Sequence, residues 1–295
     1  VPLLSRRGAA RPPQPYLQGA PLLIAHRGGS ALAPENTLFA FERALSWWDA
    51  DLLELDVHPT RDGEVVVIHD PTVDRTSDGR GRVAELSLAE LRALDFGYRF
   101  TPDGGATHPF RGRGIGISTL AEILEALPDA RVNVEIKDGR AQERVWETIH
   151  AAGATRRVLV AAARLADRRR FIGAYTGAMS ASAEEMRSFL TLHLLRAAAF
   201  YRPPVDAFQM PERFGSRQLL SPRFVRDAHA RGVAVHVWTV DEEADMRRLL
   251  AWGVDGIITD RPDRLARVLH ETHGRPLPPG PPAGAEPFLE WLLRA

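Results

Sequence analysis

From Leu22 onward the chain alternates apolar runs of five or six residues with longer stretches whose apolar positions recur every three or four residues. The runs fall at 22–26, 52–57, 131–136, 157–161, 175–180, 206–210, 233–237 and 254–259, and they predict strands. The stretches near 36–48, 118–127, 140–152, 164–172, 182–196, 221–231, 241–250 and 262–270 predict amphipathic helices. Runs such as Val233-Ala234-Val235-His236-Val237 are almost continuously apolar. That is the pattern of a strand covered by helices on one face and by a packed interior on the other. Eight strands in strict β–α alternation predict an α/β fold closed into a parallel (β/α)8 TIM barrel over residues 21–270.

Two features interrupt the alternation. Residues 61–69 form a second apolar run after the strand at 52–57, and Asp62-Gly63 suits the tight turn between them. Residues 70–117 then form a long insertion after the second strand, with one short helical pattern at 87–94. A segment of that length is expected to act as a lid or substrate gate. Residues 1–20 read as an irregular lead-in, and 271–295 as a Pro/Gly-rich tail. Within that tail a short apolar helix is expected at 287–294, docked on the barrel.

Composition narrows the function. The 295 residues carry 38 basic and 38 acidic side chains, so no basic surface for nucleic acid or anionic membrane is advertised. With no cysteine, disulfides, thiolate nucleophiles and cysteine-bound zinc are excluded. No apolar run approaches the ~20 residues of a transmembrane helix. The Arg- and Pro-rich first residues lack a signal peptide's apolar stretch. The cytoplasm is the default compartment, although a leader removed ahead of Val1 would leave the same sequence. The sequence leaves room for a homo-oligomer. Lys137 is the single lysine among 38 basic residues, either the chance survivor of a bias toward arginine or a position where a guanidinium does not replace an ammonium, and its neighbours decide.

The chemistry gathers at strand ends. His26 and Arg27 follow the first strand, Glu54 and Asp56 sit two apart on the second, and Glu135 and Lys137 two apart at the end of the third. His69 closes the run at 61–69. Residues two apart on a strand share a face, and barrel enzymes build their sites at this rim. A Glu-x-Asp pair alone is more often a structural ion pair, but three converging carboxylates repel unless a cation joins them. Glu54, Asp56 and Glu135 offer hard oxygen ligands suited to one divalent cation, Mg²⁺ or Ca²⁺. With that ion, Arg27 and Lys137 leave the site about one formal charge positive, matching a singly negative phosphodiester. His26 and His69 suit the acid and base of a displacement at phosphorus. Glu35 and Asn36, in the run Pro34-Glu35-Asn36-Thr37 that opens the first helix, are candidates to bond a metal water or the phosphate. Trp238 ends the seventh strand, where an indole walls a pocket.

Taken in order, His26-Arg27-Gly28-Gly29, Pro34-Glu35-Asn36-Thr37, Glu54-Leu55-Asp56-Val57, Asp62-Gly63, His69-Asp70, Glu135-Ile136-Lys137, Trp238-Thr239-Val240 and the run from Gly253 to Asp260 resemble the glycerophosphodiester phosphodiesterases. The resemblance spans residues 24–268. It implies metal-dependent hydrolysis of glycerophosphodiesters to sn-glycerol 3-phosphate and an alcohol. It further implies Glu54, Asp56 and Glu135 on the metal, His26 and His69 as acid and base, and Arg27 and Lys137 on the phosphate. A substrate hydroxyl attacking first, through a cyclic phosphate, is also implied. One departure stands out: where the family commonly has Ser-Phe after the fourth strand, this chain has Ala161-Ala162-Ala163, which leaves the alcohol preference open. Two other readings compete. One is a related barrel phospholipase acting on lyso- or intact phospholipids; the other is a non-catalytic module that binds phosphate esters.

Overall fold

The computed structural model describes residues 13–282 and 284. The barrel begins with β1 (Leu22–Ala25) and α1 (Leu38–Trp48), then β2 (Leu52–Pro59) with its antiparallel partner β3 (Val65–Val67). After α2 (Leu88–Arg92) and α3 (Leu120–Ala126) come β4 (Val132–Ile136), α4 (Gln142–Ala151), β5 (Val158–Ala161), β6 (Ala178–Met179) and α5 (Ala183–Leu194). β7 (Ala207–Met210), the short hairpin β8 (Arg213–Phe214) and β9 (Arg217–Gln218), and α6 (Pro222–His229) follow. β10 (Ala234–Val237), α7 (Glu243–Ala251), β11 (Gly256–Thr259) and α8 (Pro262–His273) complete the ring.

Eight parallel strands run in the order β6-β5-β4-β2-β1-β11-β10-β7. A single bridge, Ser180 to Ala207, joins the two ends. This seam is short because the expected strand at 175–180 is spent on packing. The Tyr175 hydroxyl turns in to donate to the Val158 carbonyl at 2.8 Å, and Gly177 passes so close to the Thr155 carbonyl that a Cβ there would clash. The carbonyls of Met179 and Ala207 still accept from Asp206 and Ala181 at 2.9 and 3.0 Å, which holds the ends together.

Helix starts are built from capping side chains. Thr119 and Glu122 form a reciprocal box ahead of α3, as do Ser182 and Glu185 ahead of α5. At α1 the sequence expectation is displaced. Thr37 is the N-cap, so Pro34 and Glu35 lie ahead of the helix and Asn36 adopts a left-handed φ of 58°. The expected helix at 164–172 is instead a 3-10 segment, Leu165–Phe171, kinked at Arg168. The kink turns the Arg168 side chain inward onto Glu185, the residue that caps α5. The hairpin at 213–218 was not expected, although Gly215-Ser216 between two extended pairs is a turn signature.

Among the described residues, none of the segment 70–117 lines the cavity at the barrel mouth. It packs Val73, Val83, Leu91, Phe96 and Ile117 with Val66 and Ile68 as a separate apolar cluster beside β3. The tail leaves α8 through Gly274 and is tied down by Arg275, which bonds Asp51 at 2.7 Å. The helix expected at 287–294 lies outside the described residues. No helix among the described residues is long and apolar enough to cross a membrane.

Candidate active site

The turn after β1 positions the first two site residues by an unusual backbone. Arg27, Gly28 and Gly29 take φ of 51°, 86° and 91° in succession. Neither glycine tolerates a side chain: a Cβ on Gly28 would sit 2.7 Å from that of Ala40, and one on Gly29 would sit 2.9 Å from the Pro262 ring. The turn thus clamps between α1 and α8. Its left-handed Arg27 is the kind of strained residue that collects at functional sites. His26 is oriented from behind, its Nδ1 2.6 Å from Asp260 Oδ1, which also accepts from the Ser30 hydroxyl at 2.5 Å. A carboxylate at Nδ1 makes that nitrogen the donor and leaves Nε2 for the cavity, 3.9 Å from Glu54. Burial opposes the charged imidazole, yet the Asp260 hydrogen bond and the Glu54 charge raise its pKa above the ordinary value.

Strand alternation brings the acids together. Glu54 and Asp56 share the inner face of β2, and the β2–β4 register sets Asp56 opposite Glu135. One oxygen from each of the three carboxylates lies within 4.8 Å of the others. Glu54 accepts from the Arg27 N–H at 3.0 Å, and Asp56 accepts from Asn36 Nδ2 at 3.0 Å. The Arg27 Nε lies 3.2 Å from Asp56, and Lys137 Nζ bridges Asp56 and Glu135 at 3.0 and 2.9 Å. Burial and the neighbouring Asp56 charge push the Glu54 carboxyl up to about 8. Asp56 is equally buried, but Lys137 and Arg27 overcome that burial and hold its carboxyl below the usual range.

His69 mirrors His26. Its Nδ1 lies 2.6 Å from Asp70, and the His58 ring Nε2 lies 3.0 Å from its carbonyl. Arg75, inside the segment 70–117, donates to Asp70 through Nε at 2.6 Å and to both oxygens of Glu35 at 2.6 and 2.8 Å. Glu35 in turn accepts from Arg27 at 3.0 Å. Arg75, Glu35 and Arg27 therefore connect the supports of His69 to those of Asp56.

The residues open on a cavity of about 410 Å³. His26, Arg27, Glu54, His69, Glu135, Lys137 and Trp238 line it; Asp56, Glu35 and Asn36 stand behind its wall. Glu35 holds two arginines, and Asn36 grips Asp56 both ways, its Oδ1 accepting the Asp56 N–H at 3.3 Å. The donors fit a divalent ion: three hard carboxylates converge from two adjacent strands, and burial together with their crowding keeps Glu54 from ionising at its usual pH. Sequence reasoning missed the roles of Asp260, Asp70 and Arg75. The two aspartates sat in motifs already noted, whereas nothing local marked Arg75.

Known proteins point the same way. The model of the glycerophosphoryl diester phosphodiesterase family matches residues 26–264. A glycerophosphodiester phosphodiesterase of Caldanaerobacter subterraneus subsp. tengcongensis is 35% identical over 260 residues, covering 85% of this chain and 98% of that protein. A probable glycerophosphodiester phosphodiesterase 2 of Mycobacterium tuberculosis is 35% identical over 257 residues, 85% of this chain and 91% of its own. Among solved structures, a putative glycerophosphoryl diester phosphodiesterase from Silicibacter pomeroyi superposes with a TM-score of 0.68 at 26% identity, covering 87% of this chain and 96% of that one. A match across most of the chain, on a barrel whose rim carries the expected acids and histidines, places this chain in the glycerophosphodiester phosphodiesterase family.

Proposed function

We propose that the protein hydrolyses glycerophosphodiesters to sn-glycerol 3-phosphate and an alcohol, using one divalent cation on Glu54, Asp56 and Glu135. The observation that carries this reading is the triad of carboxylates, two of which, Glu54 and Glu135, open on the same cavity as two histidines, each histidine backed by its own aspartate. Mg²⁺ or Ca²⁺ there would offset the acids and polarise a phosphoryl oxygen. The remaining work falls to the chain's own groups. With Nδ1 held by Asp260 or Asp70, the Nε2 atoms of His26 and His69 are free to move protons. One takes the proton of the attacking oxygen, and the other gives a proton to the departing alkoxide. Arg27 and Lys137 border the cavity and supply positive charge for the phosphate, while Asn36 and Glu35 keep Asp56 and Arg27 in place. Trp238 walls the side away from the acids.

A panel of glycerophosphodiesters assayed with Mg²⁺, with Ca²⁺ and with chelator tests the proposal. Release of glycerol 3-phosphate that stops on chelation is expected. Full activity after the divalent ions are stripped would remove the metal from the scheme, and binding without turnover would make the protein a phosphate-ester-binding module.

A further inference from the structure

The chain's overall neutrality conceals a local excess of positive charge. α5 runs back from the barrel mouth, so its last residue, Leu194, and the turn leading into β7 lie at the opposite rim. There Leu194, Leu195 and Phe200 are 69%, 70% and 83% exposed. The turn is closed by its own backbone. Arg196 ends α5 at a left-handed φ of 57°, its N–H donating to the His193 carbonyl at 3.0 Å, and the Phe200 N–H donates to the Ala197 carbonyl at 3.0 Å. The apolar side chains are left outside, and large apolar groups gathered in water mark a surface that meets something apolar.

Arginines share this rim. Arg196 and Arg202 belong to the turn, Arg226 stands near the end of α6, and Arg231 comes just before β10. The Arg202 Nε donates to the Arg231 carbonyl at 3.2 Å, and the Arg231 guanidinium donates to the Ala199 carbonyl at 2.9 Å. Carbonyls fix these side chains without cancelling their charge. Among the described residues none of the four arginines forms an ion pair. The acid on α6, Asp227, is taken up by His193 at 2.6 Å and lies 3.6 Å from Arg223.

A second copy of the chain suits this surface poorly, because a twofold contact would set the arginines against themselves. An anionic bilayer suits it well. Its headgroups attract guanidiniums, and its acyl boundary takes in apolar side chains that project between them. We propose that this rim docks the protein on anionic membrane, with Leu194, Leu195 and Phe200 entering the headgroup layer. The barrel mouth then faces water, open to solutes.

The chain has no cysteine, so Phe200→Cys and Phe214→Cys can each carry a single polarity-sensitive dye. Phe214 is 76% exposed on the β8–β9 hairpin, whose root Leu219 lines the mouth. With vesicles of phosphatidylcholine containing about 30% phosphatidylserine, the dye at position 200 should shift to the blue and the dye at 214 should not. In flotation, the full chain should bind these vesicles, leave phosphatidylcholine alone, and be released at ~1 M salt, where the screening length is about 3 Å. Arg196→Ser combined with Arg226→Ser should weaken binding roughly 25-fold, about fivefold for each arginine near an anionic surface. Phe200→Ser, at an exposed position where folding is spared, should weaken it by about tenfold. Absence of binding, equal binding to both kinds of vesicle, or a shift at 214 without one at 200 overturns the proposal. Capture by a polyglutamate peptide with no vesicle binding overturns it too, and assigns the rim to an acidic protein.

Discussion

The two halves of the cavity are held in different ways. On the β1–β4 side each functional group is fixed by several partners: Asp56 meets Asn36, Arg27 and Lys137, and each histidine is backed by an aspartate. On the β5–β10 side the wall is mostly alanine, methionine, leucine, proline and one indole, with only uncharged polar side chains, Ser180, Ser182, Gln209 and Thr239, among them. Chemistry at phosphorus needs groups placed to within a fraction of an ångström, and that requires supports which are themselves fixed. Discrimination between substrate arms needs only shape and polarity. On the proposed function, one half reacts and the other selects. The difference can be broken experimentally, because changes in the first half should act on kcat and changes in the second on KM.

On that reading the largest effects belong to His26 and His69. His26→Gln and His69→Gln should each lower kcat by about 100- to 10,000-fold, the usual contribution of a general acid or base. Steady-state rates on a glycerophosphodiester with saturating Mg²⁺ check this. A loss under tenfold for either would remove that residue from the pair.

The supports come next. Asp260→Asn and Asp70→Asn keep the shape but weaken the acceptor at Nδ1, and losses of about 10- to 100-fold are expected, as for other groups that orient an active imidazole. The loss should fall on kcat with KM little changed. Equal losses from truncating Trp238 would erase the distinction between the halves. Lys137→Arg follows. Lys137 Nζ sits between Asp56 and Glu135 with both contacts near 3 Å, a point charge that a planar fork does not reproduce. A drop of about tenfold in turnover, equivalent to about 1.4 kcal/mol, is expected. A near-normal rate would make the single lysine incidental.

These residues also show what the sequence could reveal. The strands were legible because a buried barrel strand is apolar along its length, and the Glu54/Asp56 and Glu135/Lys137 pairs because strand alternation fixes their face. The site's supports were not legible. His26 and Asp260 are 234 positions apart, and Arg75 and Glu35 are 40 apart. No periodicity links such partners, since only barrel closure brings them together. The helix expected at 164–172 failed for a related reason: Arg168 follows a long-range partner, Glu185, and the backbone kinks to allow it.

The smallest effect on rate, and one read on stability, comes from the uncharged half. His236 on β10 is fully buried, and burial holds its pKa down at about 4 against an ordinary 6.5. The unfolded chain therefore binds a proton that the folded chain refuses between those two values. Stability from this group is complete above pH 6.5 and is lost as pH falls toward 4, by roughly 3 kcal/mol at 1.36 kcal/mol per pKa unit. The charged half pulls the other way in metal-free protein. The pKa values of Glu54 and His26 are raised, so their contribution is present at low pH and lost as pH rises through the folded values. Comparing denaturant unfolding of the wild type with that of His236→Leu from pH 4 to 7 isolates the first term. The stability gap between the two proteins should shift steadily in favour of the leucine variant as pH drops. A gap that stays constant across that range would mean that His236 takes up its proton in the folded protein despite its burial, with the Gln209 amide 3.4 Å from its Nδ1.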